Sequence, residues 1–277
     1  MILWVVSNIN DMLKKIFIYI CAIFGIVFFS FVFGAVLFQV YSHDSSFSNE
    51  EVEFEETADG DEAQEDTESN FPNARNWIRP QGQARVGLQA GHWKVEEVPE
   101  ELSGLKRNGS GAVGGGKLER DINLSIVKLV VPLLEEKGIV VDILPVTIPQ
   151  DYVADAFIAI HADGNTDTNV SGFKIAAPRR DYSGKSSSLA EFLEGEYQGA
   201  TSMAIDPNIT RRMRGYYAFN WRRYEHAIHF MTPAVIVETG FLTSPKDRNI
   251  LVSRQDKAAD GIAKGIIRFL ESQGLLH

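Results

Sequence analysis

The chain has 277 residues, a net charge of −10 and a single cysteine. That cysteine, Cys21, excludes an internal disulfide and a thiolate metal cluster, so any metal site must draw on His, Asp or Glu. The negative charge is concentrated in one stretch: from Asp44 to Glu68 there are twelve acidic residues and no Lys or Arg. The rest of the chain from residue 71 onward is close to neutral, with no basic stripe, which excludes an electrostatically bound nucleic acid.

In chain order, residues 1–15 read as a cytoplasmic N-terminus that carries Lys14 and Lys15. Residues 16–40 follow without a charge for 25 positions, rich in Phe, Ile and Val. At ~1.5 Å rise per residue such a run crosses a hydrocarbon core of ~30 Å, and it predicts a transmembrane helix held in the lipid bilayer. A cleaved signal peptide is the competing reading, but the run exceeds a signal h-region and no small-x-small site follows it. Basic residues before the run and acids after it orient the N-terminus inward and the bulk of the chain outward, as a single-pass protein of the cytoplasmic membrane. Residues 41–79 are predicted to be an acidic, disordered, self-repelling linker, because they hold too little apolar surface to offset their ordering entropy.

Residues 80–277 are long enough for one domain with a sizeable core. Residues 84–90 (ARVGLQA) read as a strand ending at Gly91. Residues 94–116, dense in glycine, read as a long loop. Residues 118–137 carry apolar side chains at helical spacing, with Pro132 expected to kink or split the helix and Gly138 to cap it. Strands are expected at 139–144 (IVVDIL), 156–160 (AFIAI), 172–177 (GFKIAA) and 234–237 (AVIV). Helices are expected at 186–198, from Ser244-Pro245 onward, and over about 256–272. Strands alternating with helices predict an α/β fold: a single domain with a twisted, largely parallel sheet flanked by helices.

In such sheets ligands bind beyond the carboxyl ends of the strands. His92, His161 and Glu238 each follow a predicted strand, and Glu119 lies in the first turn of the first helix. Taken singly, His92 and His161 read as hydrogen-bonded loop residues and Glu119 as a partner of the helix dipole. Glu238 differs, because a carboxylate after VIV is costly unless it is paired or functional. Two His, one Glu and a further Glu are the set a hydrolytic zinc site needs: three ligands, an open position and a general base.

The blocks VGLQAGHW, KLERDINLSIV, DAFIAIHADG, GFKIAA and PAVIVETGFLTSPKD, in this order over residues 84–271, resemble the zinc-dependent N-acetylmuramoyl-L-alanine amidases (amidase family 3), which cleave bacterial peptidoglycan. The resemblance implies a phosphorylase/hydrolase-like fold, Zn2+ as cofactor, His92, Glu119 and His161 as its ligands, and Glu238 as the catalytic carboxylate. It implies peptidoglycan as partner; Asp163, Arg214, Tyr217 and Phe241 are read as candidate substrate contacts, and the requirement for an activator protein is left open.

The sequence departs from that pattern in three places. The segment LPVTIPQDYVADAF lacks the Arg-bearing helix with its "R…AN" pattern. Asp163 stands where many members have Asn. Residues 208–231 are richer in Arg and aromatic residues. Within them, His226 and His229 form an H-x-x-H that lacks a Glu-bearing frame, and Arg211, Arg212, Arg214, Arg222 and Arg223 suit either carboxylate binding or a solvated edge. Trp221 and Tyr217 suit stacking on sugar or simple packing. The competing functional readings are a non-catalytic wall-binding or activator module and a zinc peptidase acting on the stem peptide.

Overall fold

The computed structural model describes residues 76–276. The predicted transmembrane run and almost all of the acidic linker lie outside these residues. The elements in order are β1 (Arg85–Ala90), a short hairpin of β2 (Val113–Gly114) and β3 (Lys117–Leu118), α1 (Glu119–Glu135), β4 (Val140–Leu144), β5 (Ala156–Asp163), β6 (Lys174–Ala176), α2 (Ser186–Thr201), α3 (Arg211–Arg214), β7 (Ala234–Phe241) and α4 (Gln255–Ser272). The central sheet has five strands in the order β4-β1-β5-β7-β6. Neighbours are parallel except β6, which runs antiparallel on β7. Among the described residues no helix is long and apolar enough to cross a membrane.

Alternation along the strands divides the core in two. Val86, Leu88 and Ala90 of β1, Ile158 and Ile160 of β5, and Val235 and Val237 of β7 pack with the apolar stripes of α1, α2 and α4. On this face α2 and α4 approach closely: a Cβ on Gly261 would lie 2.7 Å from Tyr197 Cα, and one on Gly265 would lie 2.7 Å from Leu193 Cα. The opposite face buries Phe157 and Ala159 of β5 and Ile236 of β7 against Val95, Leu102, Tyr152, Met213, Tyr217 and Phe219, which come from irregular segments, 3-10 helices and the single turn of α3.

The structure corrects several expectations. Helix α1 runs unsplit through Pro132, which sits in its last turn, and Gly138 closes it with φ 74°. β5 and β7 continue past their expected ends at 160 and 237, so His161 and Glu238 lie inside strands rather than beyond them. The parallel ladder that pairs His161 with Glu238 supplies the extra backbone hydrogen bonds. Segment 94–116 is a 3-10 helix (Glu100–Asn108) followed by the hairpin, and the hairpin is pinned down: a Cβ on Gly114 would lie 2.0 Å from Leu242 O. The helix expected from Ser244-Pro245 is a turn leading into one π-helical turn, Asn249–Ser253. The globular body also begins earlier than residue 80, since Arg79 pairs with Asp155 and Trp77 stacks on His229.

Candidate active site

Register sets the first row of the site. His161 pairs with Glu238 across β5–β7, and Glu238 with Lys174 across β7–β6. Paired residues on neighbouring strands project to the same side of a sheet, so all three side chains rise on the irregular face. Gly91, just beyond β1, leaves the space beside them: a Cβ there would lie 2.3 Å from His161 Cε1. Glycine is required at this position because the imidazole fills the place of its side chain.

His92 follows with φ 61°, a left-handed conformation that costs a non-glycine residue about 1–3 kcal/mol. Its Nδ1 lies 3.1 Å from Gly109 O, a carbonyl that only accepts, so Nδ1 carries the proton and Nε2 is left as the free donor atom. Glu119 opens α1, where the N-terminal dipole favours a carboxylate. Its Oε2 accepts from Ala112 N at 2.7 Å, and its Oε1 accepts from Asn123 Nδ2 and Ala162 N, each at 3.2 Å. Asn123, one turn along the helix and fully buried, also donates to Gly91 O, tying α1 to the end of β1.

His161 Nδ1 lies 2.9 Å from Glu119 Oε1, and His92 Nε2 lies 3.6 Å from the same oxygen. Donor atoms of all three residues fall within 4.8 Å of one another. This set fits a divalent metal of zinc type. Two imidazoles and one carboxylate converge on one point, with a backbone partner fixing His92 and three N–H groups fixing Glu119. The three line a cleft of about 520 Å³ together with Asp163, Lys174, Tyr216 and Glu238.

The electrostatics separate the two glutamates. Burial alone would raise the Glu119 carboxyl, but the His161 hydrogen bond and the charges of His92 and His161 outweigh it and hold the carboxyl at about 2. Glu238 stands well above the ordinary carboxylate range. Burial is the main cause, the carboxylates of Asp163 and Glu119 add to it, and Lys174 opposes it. His92 is lowered, chiefly by burial. One carboxylate is thus kept charged and another is primed to hold a proton, the division of labour that acid–base chemistry requires.

Of the residues expected at the site, His92, Glu119, His161, Asp163 and Glu238 meet in the cleft. Asp163 lies 2.7 Å from Lys174 Nζ, and Lys174 also pairs with Asp206 at 3.1 Å. Arg214, Tyr217 and Phe241 are not among the cleft-lining residues. Arg214 is exposed on α3, where its carbonyl accepts from Arg179 N. Tyr217 is buried, its hydroxyl bonded to Gln89 and Val146 O, because the chain turns at Tyr216 and sends the next aromatic into the core. Phe241 is buried beneath Lys174, whose ammonium sits 5.1 Å from the ring centre. His226 binds Glu101 instead, and His229 stacks between Trp77 and Phe230, so the H-x-x-H residues form no joint site.

Sequence reasoning missed four residues. Lys174, a lone charge in the apolar strand GFKIAA, and Gln89, a lone amide in a buried strand, were visible as costly burials. Tyr216 and Asp247 had no such signal. The Asp247 carboxylate binds Ser171 Oγ, Gly172 N and Phe241 N, and so shapes the turn after β7.

Comparison with known proteins gives the family. The profile of the Amidase_3 family, N-acetylmuramoyl-L-alanine amidase, matches residues 86–268. The germination-specific N-acetylmuramoyl-L-alanine amidase of Bacillus subtilis is 27% identical over 239 residues, covering 74% of this chain and 88% of that protein. The amidase AmiA of Escherichia coli is 25% identical over 208 residues, covering 58% of this chain and 71% of that protein. Among solved structures, the apo amidase Ami1 of Mycobacterium abscessus aligns with a TM-score of 0.49 and 20% identity, covering 69% of this chain and all of that one (100%). The chain belongs to the N-acetylmuramoyl-L-alanine amidase family of peptidoglycan hydrolases.

Proposed function

We propose that the chain is a zinc-dependent amidase that cleaves the bond between the lactyl carboxyl of N-acetylmuramic acid and the L-alanine of the stem peptide. The observation that carries this reading is the convergence of His92, Glu119 and His161 beside a Glu238 whose carboxyl is raised. His92, Glu119 and His161 hold the metal. Zinc, when bound, supplies a Lewis acid that polarises the amide carbonyl and makes water acidic near neutral pH. Glu238, one strand from His161, takes the proton of the attacking water and returns it to the leaving amine. Its raised carboxyl suits it to hold the proton between the two transfers. Lys174 holds Asp163 at the rim, leaving an anchored carboxylate to meet polar groups of the substrate.

The 25-residue apolar run and the acidic stretch that follows it support a membrane-anchored enzyme, with residues 16–40 in the bilayer, residues 41–79 as a spacer, and the catalytic body of 80–277 in the cell wall or periplasm. The reaction is tested by digesting purified peptidoglycan with the full chain, with and without a zinc chelator, and identifying the new ends. New N-terminal L-alanine and free lactyl carboxyls, lost on chelation and restored by zinc, are expected. Released D-amino acids would make it a peptidase, and inert chain with zinc bound would make it a binding module.

A further inference from the structure

Beneath the cleft runs a chain of buried polar groups that the reaction does not use directly. His161 Nε2 lies 3.2 Å from Tyr216 Oη, and Tyr216 donates to Gln89 Oε1 at 2.8 Å. Gln89, fully buried on β1, donates from Nε2 to Val146 O at 3.0 Å and to Tyr217 Oη at 2.6 Å. The direction of this chain is fixed by its far end. Val146 O only accepts, so the Gln89 amide nitrogen must face it and the Gln89 oxygen must face Tyr216. The Tyr216 hydroxyl has one hydrogen and gives it to that oxygen. It can therefore meet His161 only with a lone pair, so His161 Nε2 carries a proton. Nδ1 is then the ring atom that faces Glu119 Oε1, 2.9 Å away. A proton on Nδ1 in the metal-free chain, or a metal ion in its place, is shared by these two atoms.

We infer that Tyr216 and Gln89 are positioning residues that lock His161 in its Nε2–H form and so present Nδ1, not Nε2, to the metal. His92, locked at the opposite nitrogen by Gly109 O, presents Nε2. The two ligand histidines thus use different ring atoms, each chosen by the partner of the other nitrogen. Tyr216 belongs to segment 208–231, one of the three places where the sequence departs from the family pattern. The inference rests on the zinc reading, yet it makes a statement about His161 that is readable without metal.

The test uses the full chain labelled with 15N-histidine, with His161 assigned from the spectrum of His161→Gln. Two-bond 1H–15N spectra distinguish protonated, free and metal-bound ring nitrogens, and zinc affinity is measured by chelator competition. The wild type is expected to show a protonated Nε2 in the metal-free and the zinc-loaded chain, with zinc on Nδ1. Tyr216→Phe, which keeps the ring and removes the hydroxyl, is expected to mix the two tautomers and weaken zinc binding about 10–100-fold. Gln89→Met is expected to move both readouts in the same direction, and so guards against an effect peculiar to one variant. Zinc on Nε2, or a Tyr216→Phe chain with unchanged tautomer and affinity, overturns the inference. A wild-type chain that binds no zinc but shows the Nε2–H form, lost in Tyr216→Phe, sinks the zinc reading and upholds the lock.

Discussion

The helix face and the irregular face of the sheet are built from the same strands, yet they are held together differently. On the helix face, β1, β5 and β7 meet periodic apolar stripes, with α2 and α4 in close contact at Gly261 and Gly265. On the irregular face the same strands carry Gln89, His161 and Glu238, covered by segments without a repeat. The first face makes the protein stable, whereas the second accepts buried charge, a left-handed His92 and facing carboxylates. Catalytic sites commonly concentrate such local costs where a rigid scaffold can bear them.

The contrast can be broken first at Glu238. Glu238→Gln is expected to lower kcat by about 10²–10⁴-fold while zinc stays bound, since a positioned general base contributes that much. Retained full activity at stoichiometric zinc would remove Glu238 from the mechanism. The mirror experiment on the helix face is Leu193→Ala. Leu193 is fully buried against α4 and should cost about 2–5 kcal/mol in denaturant unfolding, with kcat per folded molecule unchanged. A fall in kcat there would mean that the two faces are coupled.

Gly91→Ala lies between these cases. Its Cβ collides with the His161 ring, so activity should drop about 10²-fold, as expected for a ligand displaced by an ångström, with a smaller change in melting temperature. The smallest effect is a pH dependence of stability. The folded-state pKa of Glu238 is raised above its unfolded value, so its favourable contribution is present at low pH and is lost as pH rises through the folded pKa. In metal-free chain, Glu238→Gln should therefore leave the melting temperature unchanged in acid and raise it by a few degrees at neutral pH. Equal melting temperatures throughout would mean that Glu238 is not strained.

Legibility in the sequence follows the same division. The strands β1, β4 and β5 and the helices α1, α2 and α4 announced themselves through period, because each buries one regular stripe. Among the site residues, those inside or next to regular elements (His92, Glu119, His161, Asp163 and Glu238) were found. Strand ends are poorly marked because His and Glu look like punctuation, whereas the ladder runs through them, with one irregularity after His161, to Phe241. Tyr216 and Tyr217 show the limit. They are adjacent, identical and in a segment without period, so nothing local says which one enters the cleft and which one the core. Only the tertiary partners Gln89 and Val146 decide it.

The pairing of His161 with Glu238 has one more consequence. Because the two residues sit directly opposite each other on hydrogen-bonded strands, their backbones are gauged by the interstrand spacing of ~4.8 Å, a distance common to all sheets. The sheet serves as a ruler between His161 and Glu238, the proposed ligand and the proposed base. Thermal motion of the rim or of the irregular cover leaves that backbone separation untouched for as long as the ladder stays closed.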